Sequence, residues 1–199
     1  GMPGTGKSTT ISVVANYLQK DIYYVDLNGV ETNEHLQMIF EYVNKNVTIP
    51  GIIVMEDIDA MTNVVLKRGD NINEYKVSDL INNQKSGLTL EYLLNILQGT
   101  LTMDNSVYIV TSNFIEHLDP AFYRDGRFDV KIELKCCNKF QIQTIYEKMI
   151  GKELPQTILD KIPENKFSPA SIIFHIKNYI FDNTTDPNII MEPFITKHI

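Results

Sequence analysis

Ile11, Val14, Ala15 and Leu18 recur at a spacing of three and four, which predicts a helix over residues 7–18. Ile22 to Leu27 (Ile-Tyr-Tyr-Val-Asp-Leu) is rich in β-branched and aromatic residues and reads as a strand. Leu36, Ile39, Phe40 and Val43 mark a second amphipathic helix. After the Pro50-Gly51 break, Ile52 to Met55 is wholly apolar, the mark of a strand buried on both faces. Residues 62–87 are polar and irregular and read as a long surface loop. Leu90, Leu93, Leu94, Leu97 and Leu101 then predict a helix, and Val107–Thr111 and Val130–Leu134 two more strands.

Beyond residue 138 the periodicity is wholly helical. Phe140, Ile142, Ile145, Tyr146 and Met149 lie on a helix over Lys139–Ile150. Ser168-Pro169 has the form of a cap followed by proline at the first helical position, and Ile172, Ile173, Ile176 and Ile180 continue from it. From Asp182 the tail carries Pro187 and Pro193 and reads as loose. Strands alternating with helices imply an α/β fold, a parallel sheet in three layers with helices on both faces. The expected division is an α/β core over 1–137, a small helical lid over 138–182 and a tail over 183–199.

A chain of 199 residues can bury a substantial core. Its net charge of -7 argues against a surface that tracks nucleic-acid phosphates. The two cysteines, Cys136 and Cys137, are adjacent, a poor arrangement for a structural disulfide, and suggest a reducing intracellular compartment. The scattered histidines have no metal-ligand spacing. No apolar run approaches the roughly 20 residues that span a bilayer, and no targeting peptide is visible.

Gly1-Met2-Pro3-Gly4-Thr5-Gly6-Lys7-Ser8 fits the phosphate-loop pattern at every fixed position, and Thr9 follows it into the helix. Glycines let backbone N–H groups converge on phosphate oxygens, and the helix N-terminus adds partial positive charge. Lys7 is placed to reach the β- and γ-phosphates of ATP, and Ser8 to ligate Mg²⁺. Such a loop ordinarily follows a buried strand, so the core is expected to be N-terminally truncated. The apolar strand 52–55 ends in Glu56-Asp57-Ile58-Asp59. Carboxylates at such a sheet edge suit Mg²⁺ orientation and polarisation of an attacking water, and the plainer alternative is a solvated acidic turn.

With these motifs the chain resembles the AAA ATPase family from Gly1 to about Ile180. The family strand ends Asp-Glu, whereas here the order is Glu56-Asp57. By position, the resemblance gives Glu56 to Mg²⁺ and Asp57 to the water; Asp is a methylene shorter than Glu, so the split of roles stays open. Val110-Thr111-Ser112-Asn113 resembles the sensor segment, in which Asn113 would position the attacking water. Leu118-Asp119-Pro120-Ala121-Phe122-Tyr123-Arg124-Asp125-Gly126-Arg127-Phe128-Asp129 resembles the second region of homology. There Arg124 and Arg127 would point at the γ-phosphate held by a neighbouring subunit. Guanidinium suits that task because its charge is permanent and its donors form a planar fork. A local ion pair with Asp125 or Asp129 is the plainer alternative.

Glu56-Asp57-Ile58-Asp59-Ala60, the segment Leu88–Gly99, and Phe167-Ser168-Pro169-Ala170 are similar to the subfamily that includes the mitochondrial assembly factor for respiratory complex III. The resemblance implies a homo-oligomeric ring that hydrolyses ATP to remodel or move a protein client. It implies mitochondrial location only if it extends that far, and membrane contact only through a region ahead of Gly1. The polar stretch Asp26–Glu34 has no aromatic pore residue, which disfavours threading of an unfolded chain. Ala170 and Ser171 stand where some relatives carry a lid arginine, and Phe140 and Ile142 are candidates either for flanking adenine or for the core. The alternative function is a nucleotide-binding scaffold with weak catalysis.

Overall fold

The apolar segment 52–55 is the middle strand of a three-stranded parallel sheet. The computed structural model describes residues 1–46, 51–61, 66, 87–100, 106–124, 126–181 and 186–196. Strands β1 (Ile22–Tyr24), β2 (Ile52–Met55) and β3 (Val107–Val110) lie in that order. Ile22 pairs with Ile52, and Ile52 in turn with Val107. Ladders on both sides satisfy the β2 backbone, and all four of its side chains are buried. The chain divides into one unit of Ser8–Ile132 and a second of Gly1–Lys7 with Glu133–Ile199. The loop residues 1–7 thus group with the lid, whereas sequence alone placed them with the sheet.

In the first unit the sheet is covered on both faces, as expected of a phosphate-loop α/β fold. Helix α1 (Lys7–Leu18) lays Ile11 and Ala15 against Ile52 and Val54. On the other face, Ile53 and Met55 meet Leu36 and Phe40 of α2 (Asn33–Asn46) and Leu93 and Leu94 of α4 (Leu90–Asn95). Between them, β2 leads into the one-turn helix α3 (Ile58–Met61). Helix α1 ends with Gln19 at φ 52°, and the Lys20 N–H reaches the Ala15 carbonyl at 3.1 Å. That is a Schellman closure with glutamine in place of the usual glycine. Thr89 caps α4 by accepting from the Tyr92 N–H at 3.2 Å. A π-helical turn over Ile96–Thr100 ends that element. Gly51 is required by contact: a Cβ there would lie 2.4 Å from the Tyr23 ring.

The expected strand Val130–Leu134 is not one. Val130 and Ile132 are exposed, and the segment makes no ladder. An extended run becomes a strand only when a neighbour supplies its hydrogen bonds, and β-propensity alone does not provide one. The polar segment 62–87 lies outside the described residues, apart from Leu66, which bridges to Leu118, and Gly87.

In the second unit, α6 (Lys139–Ile150) opens with a reciprocal capping box. Gln141 N donates to Asn138 Oδ1 at 2.9 Å, and Asn138 N to Gln141 Oε1 at 3.0 Å. It ends at Gly151, whose φ of 75° supplies the left-handed cap. Helices α7 (Gln156–Leu159) and α8 (Pro169–Phe181) pack Ile158, Leu159, Ile172 and Ile176 against Ile142 and Tyr146. The tail corrects the expectation of a loose segment: Pro187–Thr196 is helix α9 and buries Ile190, Met191 and Phe194 in the same core. Pro187 sits at the first helical position, where its missing N–H costs nothing, and Asp186 Oδ1 accepts from Asn188 N at 2.9 Å. Prolines read as breakers therefore concealed a helix start. Among the described residues, no helix is long and apolar enough to cross a membrane.

Cys137 is fully buried, and its backbone joins Phe167 and Asn165 through bonds of 2.8 and 2.9 Å. Burial, reinforced by the neighbouring Cys136, pushes its thiol up to about 11. Burial, and then Asp186, also raises the Tyr146 hydroxyl. Both groups hold their protons more tightly folded than unfolded. The stability that the Cys137 thiol contributes is complete below its unfolded value of about 8.5 and falls as pH rises toward about 11. Denaturation midpoints measured across that interval should fall less steeply in Cys137→Ala than in the parent chain.

Candidate functional site

The phosphate loop is built by residues that tolerate its backbone. Gly4 and Gly6 take φ values of 75° and 100°, which L-residues with a Cβ rarely adopt. Thr5 is buried and donates from Oγ1 to the Met2 carbonyl at 2.7 Å, which fixes the curve of the loop. Lys7 Nζ donates to the Gly1 carbonyl at 2.8 Å and to the Met2 carbonyl at 3.3 Å, so its ammonium lies over the loop it leaves. Met2, Pro3 and Gly4 are exposed on the loop, and Ser8 and Thr9 are exposed on the first turn of α1.

The start of α8 rests on this loop. Ala170 N donates to the Gly4 carbonyl at 3.1 Å, and a Cβ on Gly4 would lie 3.0 Å from Ser168 Oγ. Where a lid arginine is lacking, the main chain of Ala170 contacts the loop directly. A cavity of about 280 Å³ in the same unit is lined by Thr5, Leu134, Cys136, Asn138, Gln141 and Pro169, among others. Phe140 is exposed and Ile142 is wholly in the core, and neither is among the residues lining the cavity. Asn138 and Gln141 were not singled out from the sequence, because an Asn-x-x-Gln spacing reads as helix capping, which it also is here.

At the edge of the other unit, the turns leaving β2 and β3 grip each other. Asp57 has φ 46°, in the left-handed region, where Asp and Asn are the least disfavoured residues after Gly. Its N–H donates to Thr111 Oγ1 at 2.9 Å, and Asn113 Nδ2 donates to its Oδ1 at 3.1 Å. Thr111 is buried, donates from N to the Met55 carbonyl at 2.9 Å and accepts from Ile58 N at 3.0 Å. Asp59 returns the grip: Oδ1 accepts from Asn113 N at 3.1 Å and Oδ2 from Phe114 N at 3.3 Å. Of the residues singled out from the sequence, the fold brings Asp57 and Asn113 together; Thr111 and Asp59 had been given no role. Glu56 stands beside them, half-buried at the strand end.

Asp119 caps the short helix α5 (Pro120–Tyr123) by accepting from Ala121 N at 2.8 Å. Phe122 is buried and meets Phe128 in a tilted ring contact, centroids 5.4 Å apart, so an aromatic pair flanks the two arginines. Gly126 turns the chain with φ 85°. Arg124 is exposed, and the Arg127 guanidinium donates to the Ala121 carbonyl. Burial, then the Arg124 charge, lowers the Arg127 pKa, and Asp119 partly opposes this. Arg127 thus lies within electrostatic reach of a second guanidinium, Arg124, and of the Asp119 carboxylate. Among the described residues Arg127 forms no ion pair with Asp129, and Asp125 lies outside them.

A glycine loop opening onto a helix, a sheet edge bearing paired acids and a polar Asn, and an arginine-bearing turn together define a phosphate-loop ATPase domain. The chain belongs to the ATPase family associated with various cellular activities (AAA), whose profile matches residues 1–136. It is 32% identical over 180 residues to the "Putative AAA family ATPase L572" of Acanthamoeba polyphaga mimivirus, covering 81% of this chain and 89% of that protein. The Arabidopsis thaliana AAA-ATPases At4g25835 and At3g28510 are 31% and 32% identical over 178 and 189 residues. The match covers 82% and 86% of this chain but only 34% and 35% of those plant proteins.

Gly4→Ala should both strain the positive φ and force a methyl against Ser168. Nucleotide affinity, measured by titration calorimetry, is expected to fall by about 5- to 30-fold, in line with roughly 1–2 kcal/mol of left-handed strain.

Proposed function

We propose that this AAA domain binds Mg·ATP and hydrolyses it as one subunit of a ring that remodels or moves a protein client. The loop residues Gly1 to Thr9 grip the triphosphate through backbone N–H groups and Lys7. The cavity by Thr5, Asn138 and Gln141 takes the base. Ser8 with Glu56 and Asp57 holds Mg²⁺, whose charge would offset that developing on the phosphates. The donor chemistry fits: a hydroxyl and carboxylates are hard oxygen ligands, and Mg²⁺ commonly takes one or two side-chain oxygens and shares the rest with phosphate and water. Asp57 polarises the attacking water, Asn113 orients it, and Arg124 and Arg127 serve the γ-phosphate of a neighbouring subunit.

The observation that carries the reading is the 3.1 Å bond from Asn113 Nδ2 to Asp57 Oδ1, which holds a polar amide and a carboxylate together at the end of a buried parallel strand. A solvated acidic turn needs no such partner. The closeness of the Arg127 charge to that of Arg124 supports the arginine assignment. The reading of a folded client rests on the resemblance of Glu56–Ala60, Leu88–Gly99 and Phe167–Ala170 to the complex III assembly-factor subfamily. Two adjacent buried thiols suit a reducing compartment.

Lys7→Ala is expected to lose nucleotide binding. Arg127→Ala should keep binding and lose turnover by about 10³-fold or more. Mixing Arg127→Ala with Asp57→Ala subunits should restore part of the activity, because intact acids then meet intact arginines. Full turnover by an Arg127→Ala monomer would refute the ring, and tight binding with no phosphate release in the parent protein would favour a scaffold.

A further inference from the structure

We infer that Asp59 is a positioning residue for catalysis, acting through Asn113. The inference rests on the reading of the β2 and β3 edge as the hydrolytic centre. Pairing between β2 and β3 ends at Met55 and Val110, and the chain beyond Val110 leaves the ladder. The N–H groups of Asn113 and Phe114 therefore need other acceptors, and Asp59 supplies one oxygen to each, at 3.1 and 3.3 Å. Bonds to a carboxylate are roughly twice as strong as neutral ones.

Asp59 is itself held in place. It is the second residue of α3, whose first residue, Ile58, is fully buried and donates from N to the Thr111 carbonyl at 3.0 Å. Ala60 N closes the turn onto the Asp57 carbonyl at 2.8 Å. The carboxylate thus belongs to the rigid exit of β2 and fixes where the exit of β3 begins its turn. The Asn113 side chain starts from that backbone and ends on Asp57. Removing Asp59 leaves every side chain proposed to touch nucleotide chemically intact and takes an acceptor from the backbone that aims one of them. A displacement of about 1 Å at such a group can cost on the order of 10²-fold in rate.

Three variants of the full-length protein separate this from a general structural role. Asp59→Ala should lower kcat by about 10- to 100-fold while nucleotide affinity changes by less than about 3-fold. Asp59→Asn keeps one acceptor oxygen and should recover part of the loss. Asp59→Ala combined with Asn113→Ala should turn over no more slowly than Asn113→Ala alone, since the two act as one unit. Backbone hydrogen exchange without nucleotide gives a reading independent of hydrolysis. Asn113 and Phe114 should lose protection in Asp59→Ala, while the Asp57 amide, held by Thr111, keeps it. Additive losses in the double variant, an affinity loss as large as the kcat loss, or unchanged exchange at Asn113 and Phe114 each overturn the inference. If the parent protein does not hydrolyse ATP, the ATPase reading of this edge fails, while the exchange pattern still decides whether Asp59 holds the Asn113 turn.

Discussion

The exits of β2 and β3 are joined by hydrogen bonds that run in both directions. Thr111, on the β3 side, accepts from Asp57, and Asp59, on the β2 side, accepts from Asn113 and Phe114. Most residues past the end of a strand are free to wander. Here each turn supplies what the other lacks, so neither moves alone. The burial of β2 on both faces makes this possible, because a strand with ladders on each side gives its exit a fixed origin. Asp57 retains an unfavourable φ because the surrounding bonds over-determine it.

The lid unit meets a different requirement. Among its described residues there is no sheet, and their order comes from caps and a shared apolar core. The capping box of α6 and the glycine that ends it define one helix, and the Cys137 backbone bonds tie the entry of α6 to the segment before α8. Lys139 Nζ donates to the Leu159 and Asp160 carbonyls, satisfying acceptors at the end of α7. Ala170 N on the Gly4 carbonyl then brings a lid helix and the phosphate loop under one hydrogen bond.

Much of this was legible from residue spacing. The limits of α1 and α6 follow from apolar periodicity and those of β2 from a four-residue apolar run, each a local signal. The loop glycines, Lys7, Asp57 and Asn113 were legible because their chemistry constrains residue type. Three features were not. The segment 130–134 has strand-forming residues but no ladder, and ladders are non-local. Helix α9 was hidden because proline punctuates both the start of a helix and its absence. Thr111 and Asp59 escaped notice because a hydroxyl and a carboxylate at a strand end are common, and only the 54-residue separation bridged by their bonds reveals the purpose.

The inverted acid order has a backbone counterpart. The residue at position 57 must live at positive φ, a region that short polar side chains tolerate and longer ones resist. Glutamate there would reach one methylene further yet sit less comfortably on its own main chain. Aspartate trades reach for conformational ease, and the Asn113 amide at 3.1 Å steadies the shorter arm. Read this way, Glu56-Asp57 is a different settlement between side-chain length and main-chain geometry, and a swap restoring the usual order would have to reshape the turn as well as the side chain.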